Sequence, residues 1–348
     1  MLRAVPLGLL LLAFTGCLAG GPEERPDAYD RLFATLDQTE FAGAVAASQA
    51  SRDYFQIDFR ETEASTSNAD AWPWASVTKQ VLAVMVMQQV EDGTLDLDAP
   101  ADSYLAGVAG STLSPTIRQL LQHRSGLRNP DDSPADANGF PSFYSDGPTG
   151  LDWCLAERTA PPQEWRYNNC DYIVLGAILE EVTGQDIESL FRDGIAEPAG
   201  LHDTRFLTAD EMRDYEGREA IYDLRIARYG ASAALVGPLE EMLRFDRALL
   251  NGELLGEEAR DVLWNGDPSL GYMALGQWVF TAPLKGCDTP VRVVERRGAI
   301  GKYQVRNIIL PDRDFVVALA TDRAEFDFGE IWSGTGVMHD ALAAAACG

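Results

Sequence analysis

The sequence predicts an α+β fold, an α/β sandwich in which a mainly antiparallel sheet is flanked by helices and carries an inserted helical lobe. Three observations predict it. Strand-like runs lie near both ends of the chain, at 41–47 and 54–59, and again at 291–296, 304–310 and 315–320. The stretch between them is dominated by helical spacing. Strands so separated share one sheet when the terminal regions fold together and the middle forms its own lobe. The third observation is the run Trp72 to Gly93, which is too apolar to lie on a surface and reads as a buried helix.

The 348 residues are enough to bury a large core, as one domain or two intimately packed lobes. Residues 1–17 have export-signal architecture: one Arg, an apolar stretch from Leu7 to Phe14, then Thr15-Gly16-Cys17. That apolar stretch is too short for a membrane span. Small residues before Cys17 resemble a bacterial lipoprotein cleavage box, so lipidation at Cys17 is expected, with location in the periplasm or cell envelope. Phe14 stands where that box usually has Leu. Residues 18–27 are Gly, Pro and acid with almost nothing apolar, which suits a tether. A single domain follows at 28–346, its sheet part from about 28–75 and 268–346 and its helical lobe from about 76–267.

Within the domain, apolar spacing from Tyr29 to Leu36 predicts a short helix. Phe55, Ile57 and Phe59 then alternate with polar residues, the period of a half-buried strand. Ser114-Pro115 followed by TIRQLLQHRSG reads as a capped helix with proline in its first turn and a stop at Gly126. Residues 129–150 are rich in Pro, Gly, Asp and Ser and aperiodic, as expected of a lid or wall of a binding cleft. The segment from Cys170 to Gly184 is an amphipathic helix closed by its glycine. Further helices are expected at about 186–193, 239–250 and 256–264, a β-rich run at 271–280, and a C-terminal helix at about 336–345.

Composition excludes some functions. A net charge of −26 argues against nucleic acid, whose phosphates demand a basic surface, and fits a solvated, soluble exterior. With no C-x-x-C and only three scattered histidines, a metal site is not expected, and nothing calls for a cofactor. His123 reads as structural, because no acid partner lies near it in the chain. If Cys17 is lipidated, Cys154, Cys170, Cys287 and Cys347 remain, and export permits disulfides. Four cysteines allow three pairings, and the sequence does not choose firmly. Pairing 154 with 170 and 287 with 347 is favoured, since the first two flank a short Pro-containing loop.

The chemistry concentrates at the start of the buried helix. There Ser76 and Lys79, spaced i and i+3, share a helical face. A neutral lysine amine can take the proton of a serine hydroxyl, and burial or a helix N-terminus lowers a lysine pKa toward that state. Only three lysines occur among 28 basic residues, and arginine never deprotonates, so a lysine kept here is suggestive. Alone, S-x-x-K also fits a serine near a helix start with a lysine snorkelling from its first turn.

Ser76-Val77-Thr78-Lys79, Tyr167-Asn168-Asn169 and Arg296-Arg297-Gly298-Ala299 occur in that order. With them the chain resembles the serine β-lactamase and penicillin-binding-protein superfamily, most of all its class C β-lactamase and esterase branch, over about 30–345. The stretches TIRQLLQHRSGL, YNNCDYIVLGAILEEVTG and RFDRALLNG add to the likeness. The resemblance implies a β-lactamase/transpeptidase-like fold and an acyl-enzyme mechanism on an ester, a D-amino-acid peptide or a β-lactam. It makes Ser76 the nucleophile, Lys79 its base and Tyr167 a proton carrier. Asn169 would bind the substrate amide and Lys79, and the backbone N–H groups of Ser76 and Ala299 would form the oxyanion hole. Arg296 departs from the Lys or His usual before x-Gly, and would pair with a substrate carboxylate. A small-molecule or peptide substrate is the partner expected. A sensing or binding module that keeps the fold without turnover is the alternative, and a Ser-His-Asp α/β-hydrolase lacks its G-x-S-x-G elbow here.

Overall fold

The structure, a computed structural model, describes residues 27–50, 55–59, 71–106, 108, 114–137, 141–144, 150–156, 159–162, 164–207 and 226–348. The export segment, Cys17 and nearly all of the tether lie outside the described residues. In chain order the elements are α1 (Ala28–Asp37), β1 (Gly43–Gln49), β2 (Phe55–Phe59), β3 (Trp72–Pro73), α2 (Thr78–Glu91), α3 (Ile117–Leu121), α4 (Leu151–Ala156), α5 (Asn169–Thr183), α6 (Ile187–Phe191), α7 (Glu197–Ala199), β4 (Arg205–Phe206), β5 (Leu235–Gly237), α8 (Leu239–Leu250), α9 (Glu257–Leu263), β6 (Trp278–Ala282), β7 (Val291–Ile300), β8 (Tyr303–Leu310), β9 (Phe315–Thr321) and α10 (Val337–Cys347).

Six strands form one antiparallel sheet in the order β2-β1-β9-β8-β7-β6, so the two ends of the chain meet where β1 pairs with β9. Strand β9 shows why this sheet is a middle layer. Val316, Ala318 and Ala320 point into one core and Phe315, Val317 and Leu319 into the other, the two-residue period of a strand buried on both faces. Helices α1 and α10 pack together and share the second core with that face of the sheet. The helical lobe covers the opposite face.

Helix α2 is the centre of that lobe. Every residue from Thr78 to Met87 is buried, and each fully buried Val, Leu or Met contributes about 1.5–3 kcal/mol relative to exposure. It closes at Asp92, ahead of Gly93 with φ +73°, as α5 closes at Gly184 with φ +69°. A buried polar tie fixes α2 against the sheet: Asn307 of β8 donates to Gln80 Oε1 at 3.0 Å and to Asp246 Oδ1 of α8 at 2.8 Å.

Two helical and strand expectations are corrected. Thr116 caps α3 in a reciprocal box with Gln119, so Pro115 precedes the cap instead of entering the first turn. The helix then stops at Leu121, because His123 takes φ +56°, well before Gly126. The run 271–280 becomes a strand only from Trp278, because Gly271, Tyr272 and Gly276 adopt left-handed conformations that a strand does not tolerate.

Cys154 bonds Cys170, and Cys287 bonds Cys347. The first ties α4 to the first turn of α5, next to Tyr167 and Asn169. Closing loops of 16 and 60 residues, the two contribute on the order of 3 and 4 kcal/mol in chain-entropy terms.

Candidate active site

The segment Trp74 to Val77 is held from outside before it becomes helix. Trp74 donates its backbone N–H to Leu235 O at 2.9 Å and its indole N–H to Gly237 O at 3.1 Å, which pins the turn to β5. Ala75 then adopts φ +46°, a left-handed conformation that costs a non-glycine residue about 1–2 kcal/mol. That strain sits immediately before Ser76, where the short 3-10 turn Ala75–Val77 feeds into α2. Ser76 is half-buried, and Lys79, one turn on, is fully buried.

Among the described residues Lys79 Nζ has three hydrogen-bond neighbours. It donates to Asn169 Oδ1 at 2.7 Å and to the Ser232 carbonyl at 2.7 Å, and stands 3.1 Å from Ser76 Oγ. Both oxygens other than the serine's can only accept, so two N–H bonds are committed to them. The third position on nitrogen faces Ser76. Burial, and then the positive charge of Arg296, drive the amine well below the ordinary lysine range, against smaller opposing effects of Asp131 and Asp171. Once this amine sheds a proton, its lone pair is directed at Ser76 Oγ.

Tyr167 Oη lies 2.5 Å from Ser76 Oγ on the other side. Burial raises its pKa, with Arg296 and Ser76 pulling back, so the phenol is held protonated. Ser76 thus stands between an amine pushed toward neutrality and a phenol kept in its acid form. The Tyr167 ring packs 4.7 Å from His123. That histidine has an acid partner after all: its Nδ1 is 3.3 Å from Asp171 Oδ2, both side chains fully buried. The expectation failed because the partner arrives from α5, 48 residues along the chain. Nδ1 also accepts from the Asn168 backbone N–H at 3.3 Å, a role that a protonated imidazole could not play. Burial points the same way, raising the Asp171 carboxyl and lowering the His123 imidazole. Beside Tyr167 lies a cavity of about 640 Å³ whose lining includes His123, Arg128, Trp165 and Arg166 but not Ser76.

Strand β7 closes the other wall. A Cβ on Gly298 would meet Trp74 O at 2.5 Å and Ser76 N at 3.2 Å, so only glycine lets the strand approach the serine turn this closely. Ala299, next along, is exposed. Arg296 is buried beside the serine turn. Its Nε donates to the Ser76 carbonyl at 2.8 Å, while Nη1 and Nη2 are buried and find no hydrogen-bond acceptor among the described residues. Tyr167 and Trp278 flank the guanidinium, its carbon 5.7 and 5.2 Å from their ring centres.

Three ordered motifs therefore meet at one serine, on a sheet and helical lobe of this topology. A family model, Beta-lactamase, matches residues 30–332. The chain belongs to the β-lactamase family. This family of serine hydrolases includes a penicillin-binding protein of Bacillus subtilis (strain 168), 24% identical over 324 residues that cover 80% of this chain and 67% of the relative. Esterase EstB of Burkholderia gladioli is 34% identical over 159 residues, covering 40% of this chain and 39% of the esterase. The chain spans about half the length of the curated relatives it matches. Among solved structures, a D-amino acid amidase from Ochrobactrum anthropi SV3, complexed with L-phenylalanine amide, superposes with a TM-score of 0.70. It is 18% identical, and the match covers 91% of this chain and 98% of that one. At that identity the likeness speaks for the β-lactamase fold.

Four groups at the site went unread in the sequence: Asp131, Tyr144, Asp171 and the Ser232 carbonyl. Asp131 and Tyr144 fall in the aperiodic stretch read as a cleft wall, where no spacing marks a functional side chain. Asp171 sits one turn into α5, and its four-residue offset from Tyr167 was the signal available.

Proposed function

We propose that this chain is an exported serine hydrolase that cleaves an ester or amide through an acyl-enzyme on Ser76. The observation that carries this reading is the placement of Lys79, buried, with two N–H bonds spent on carbonyl acceptors and its remaining position 3.1 Å from Ser76 Oγ. Neutral Lys79 takes the Ser76 proton as Oγ attacks the substrate carbonyl carbon. The resulting oxyanion is met by the backbone N–H groups of Ser76 and Ala299. Tyr167 gives its proton to the departing alcohol or amine and is left as a phenolate that takes the proton of the incoming water, while Lys79 keeps the serine's proton until Oγ is released. Water then repeats the sequence in reverse and frees the acid.

Arg296 acts in this scheme as a fixed positive charge behind Tyr167 and Lys79. Its enclosure favours leaving groups without a carboxylate, and the kinship with an enzyme named as an esterase supports esters first. Fluorophosphonate labelling with peptide mapping tests the assignment. Label is expected on Ser76, followed by burst and turnover with a p-nitrophenyl ester; stoichiometric labelling at a different serine would refute it.

The pH dependence has a defined sign. Acylation needs Lys79 unprotonated, so its rate rises with pH through a midpoint well below the ordinary lysine range. It does not fall again until Tyr167 ionises, above the ordinary tyrosine range. A rate that declines from pH 7 to 9 would contradict these roles.

Export rests on the Leu7–Phe14 stretch and Thr15-Gly16-Cys17, which favour a lipid-linked Cys17 at the cell envelope. Cys17→Ala is expected to move the protein from the membrane fraction to the soluble one. Unchanged fractionation would count against the anchor.

A further inference from the structure

Resting on the serine-hydrolase reading, we infer that Asp131 forms a subsite for a protonated amine on the acyl part of the substrate. The geometry begins at Asn169. Its Oδ1 is taken by Lys79, and its Nδ2 donates to Tyr144 Oη at 2.9 Å and lies 3.4 Å from Asp131 Oδ1. Tyr144 Oη in turn donates to Asp131 Oδ1 at 3.0 Å. The side chain that the family resemblance assigned to the substrate amide and Lys79 is thus already engaged on both sides. What it presents toward the substrate is a carboxylate.

That carboxylate is built in. Asn129 caps the turn Pro130–Asp132 with its side chain and donates Nδ2 to the Tyr167 carbonyl at 3.1 Å, which ties the turn to the catalytic segment. Tyr144 is 1% exposed and stacks on Tyr229 with ring centres 3.9 Å apart, so the hydroxyl that aims Asp131 is rigid. The neighbouring acid has a different task, since Asp132 pairs with Arg166 at 2.6 Å. Asp131 has no cationic partner among the described residues. It is exposed, with Oδ1 oriented by two buried groups and Oδ2 unengaged.

A lone carboxylate one residue's width from Lys79 is unfavourable for an anionic acyl group and favourable for an ammonium. Ordinary surface pairs are worth little, but a pre-oriented carboxylate beside a buried tyrosine loses less entropy on pairing. An amide-capped acyl group brings no charge to meet it. Selectivity for a free amine over its N-acetyl form follows, of tenfold or more in half-protecting concentration.

The test measures protection of Ser76 from a fluorophosphonate by alanine p-nitroanilide and by its N-acetyl derivative, in the parent and in Asp131→Asn. The free amine is expected to protect at a concentration at least tenfold below that of the acetylated compound, whether it binds or turns over. Asp131→Asn keeps an acceptor for Tyr144 and removes the charge, so the two concentrations should converge. Equal protection in the parent, no protection by either compound, or a preference that survives in Asp131→Asn overturns the subsite and leaves the serine-hydrolase reading standing. Failure of the fluorophosphonate to label Ser76 at all overturns that reading and the subsite with it.

Discussion

Lys79→Arg is expected to lower the rate of Ser76 acylation by a factor on the order of a hundred or more, the usual scale for a lost general base. The substitution retains positive charge and much of the length, so a lysine that only held a salt bridge would survive it. Among the described residues no carboxylate touches Nζ. Its partners are Asn169 Oδ1, the Ser232 carbonyl and Ser76 Oγ, none of them anionic. A guanidinium stays protonated at any working pH and offers no lone pair to the serine. It also places a second permanent cation near Arg296, whose charge already pushes Lys79 toward neutrality. The variant should therefore lose acylation at every pH, without the rising limb of the parent. Mass spectrometry of the acyl-enzyme with an activated ester measures the rate, and thermal melting establishes folding. A folded Lys79→Arg protein acylated at close to the parent rate would falsify the proposed base.

The same residues show how far a sequence can be read. Ser76 and Lys79 were legible because three-residue spacing is a local property of a helix, and the apolar run after them announced burial. The sheet was legible because alternation in 55–59 and the β-rich runs near the end are local as well. Failures came where a partner arrives from a distant segment. His123 looked solitary until α5 brought Asp171 to it, and nothing in the third motif told that Trp278 and Tyr167 would flank the Arg296 guanidinium. Left-handed residues were the second cause. His123, with φ +56°, ends α3 early, and Tyr272, with φ +66°, keeps β6 from starting before Trp278, where side-chain pattern alone would extend both. Asp131 belongs to the first kind, since only the turn anchored by Asn129 aims it at Asn169.

Gly298→Ala is expected to cost acylation about a hundredfold, by a route that leaves Ser76, Lys79 and Tyr167 chemically intact. The new Cβ would stand 2.5 Å from Trp74 O and 3.2 Å from both Ala75 Cβ and Ser76 N. The first of these is backbone, and the Trp74 turn is itself pinned to β5, so relief comes from β7 moving away. Such a shift carries the Ala299 N–H off the position where the oxyanion develops, and losing one such donor costs about 10²–10³ in rate. Misplacement by about 1 Å is enough for losses near the lower figure. Overpacking also destabilises, by about 1–3 kcal/mol, so activity has to be separated from folding. Gly43→Ala supplies the comparison. Its Cβ would meet Ala320 O at 2.0 Å, between β1 and β9, among strands that supply none of the three motifs. That variant should melt lower yet, at a temperature where it stays folded, label Ser76 at close to the parent rate. Gly298→Ala, matched for folding, should not. Parent-like labelling of folded Gly298→Ala would remove the strand's close approach from the account of how this site stabilises its transition state.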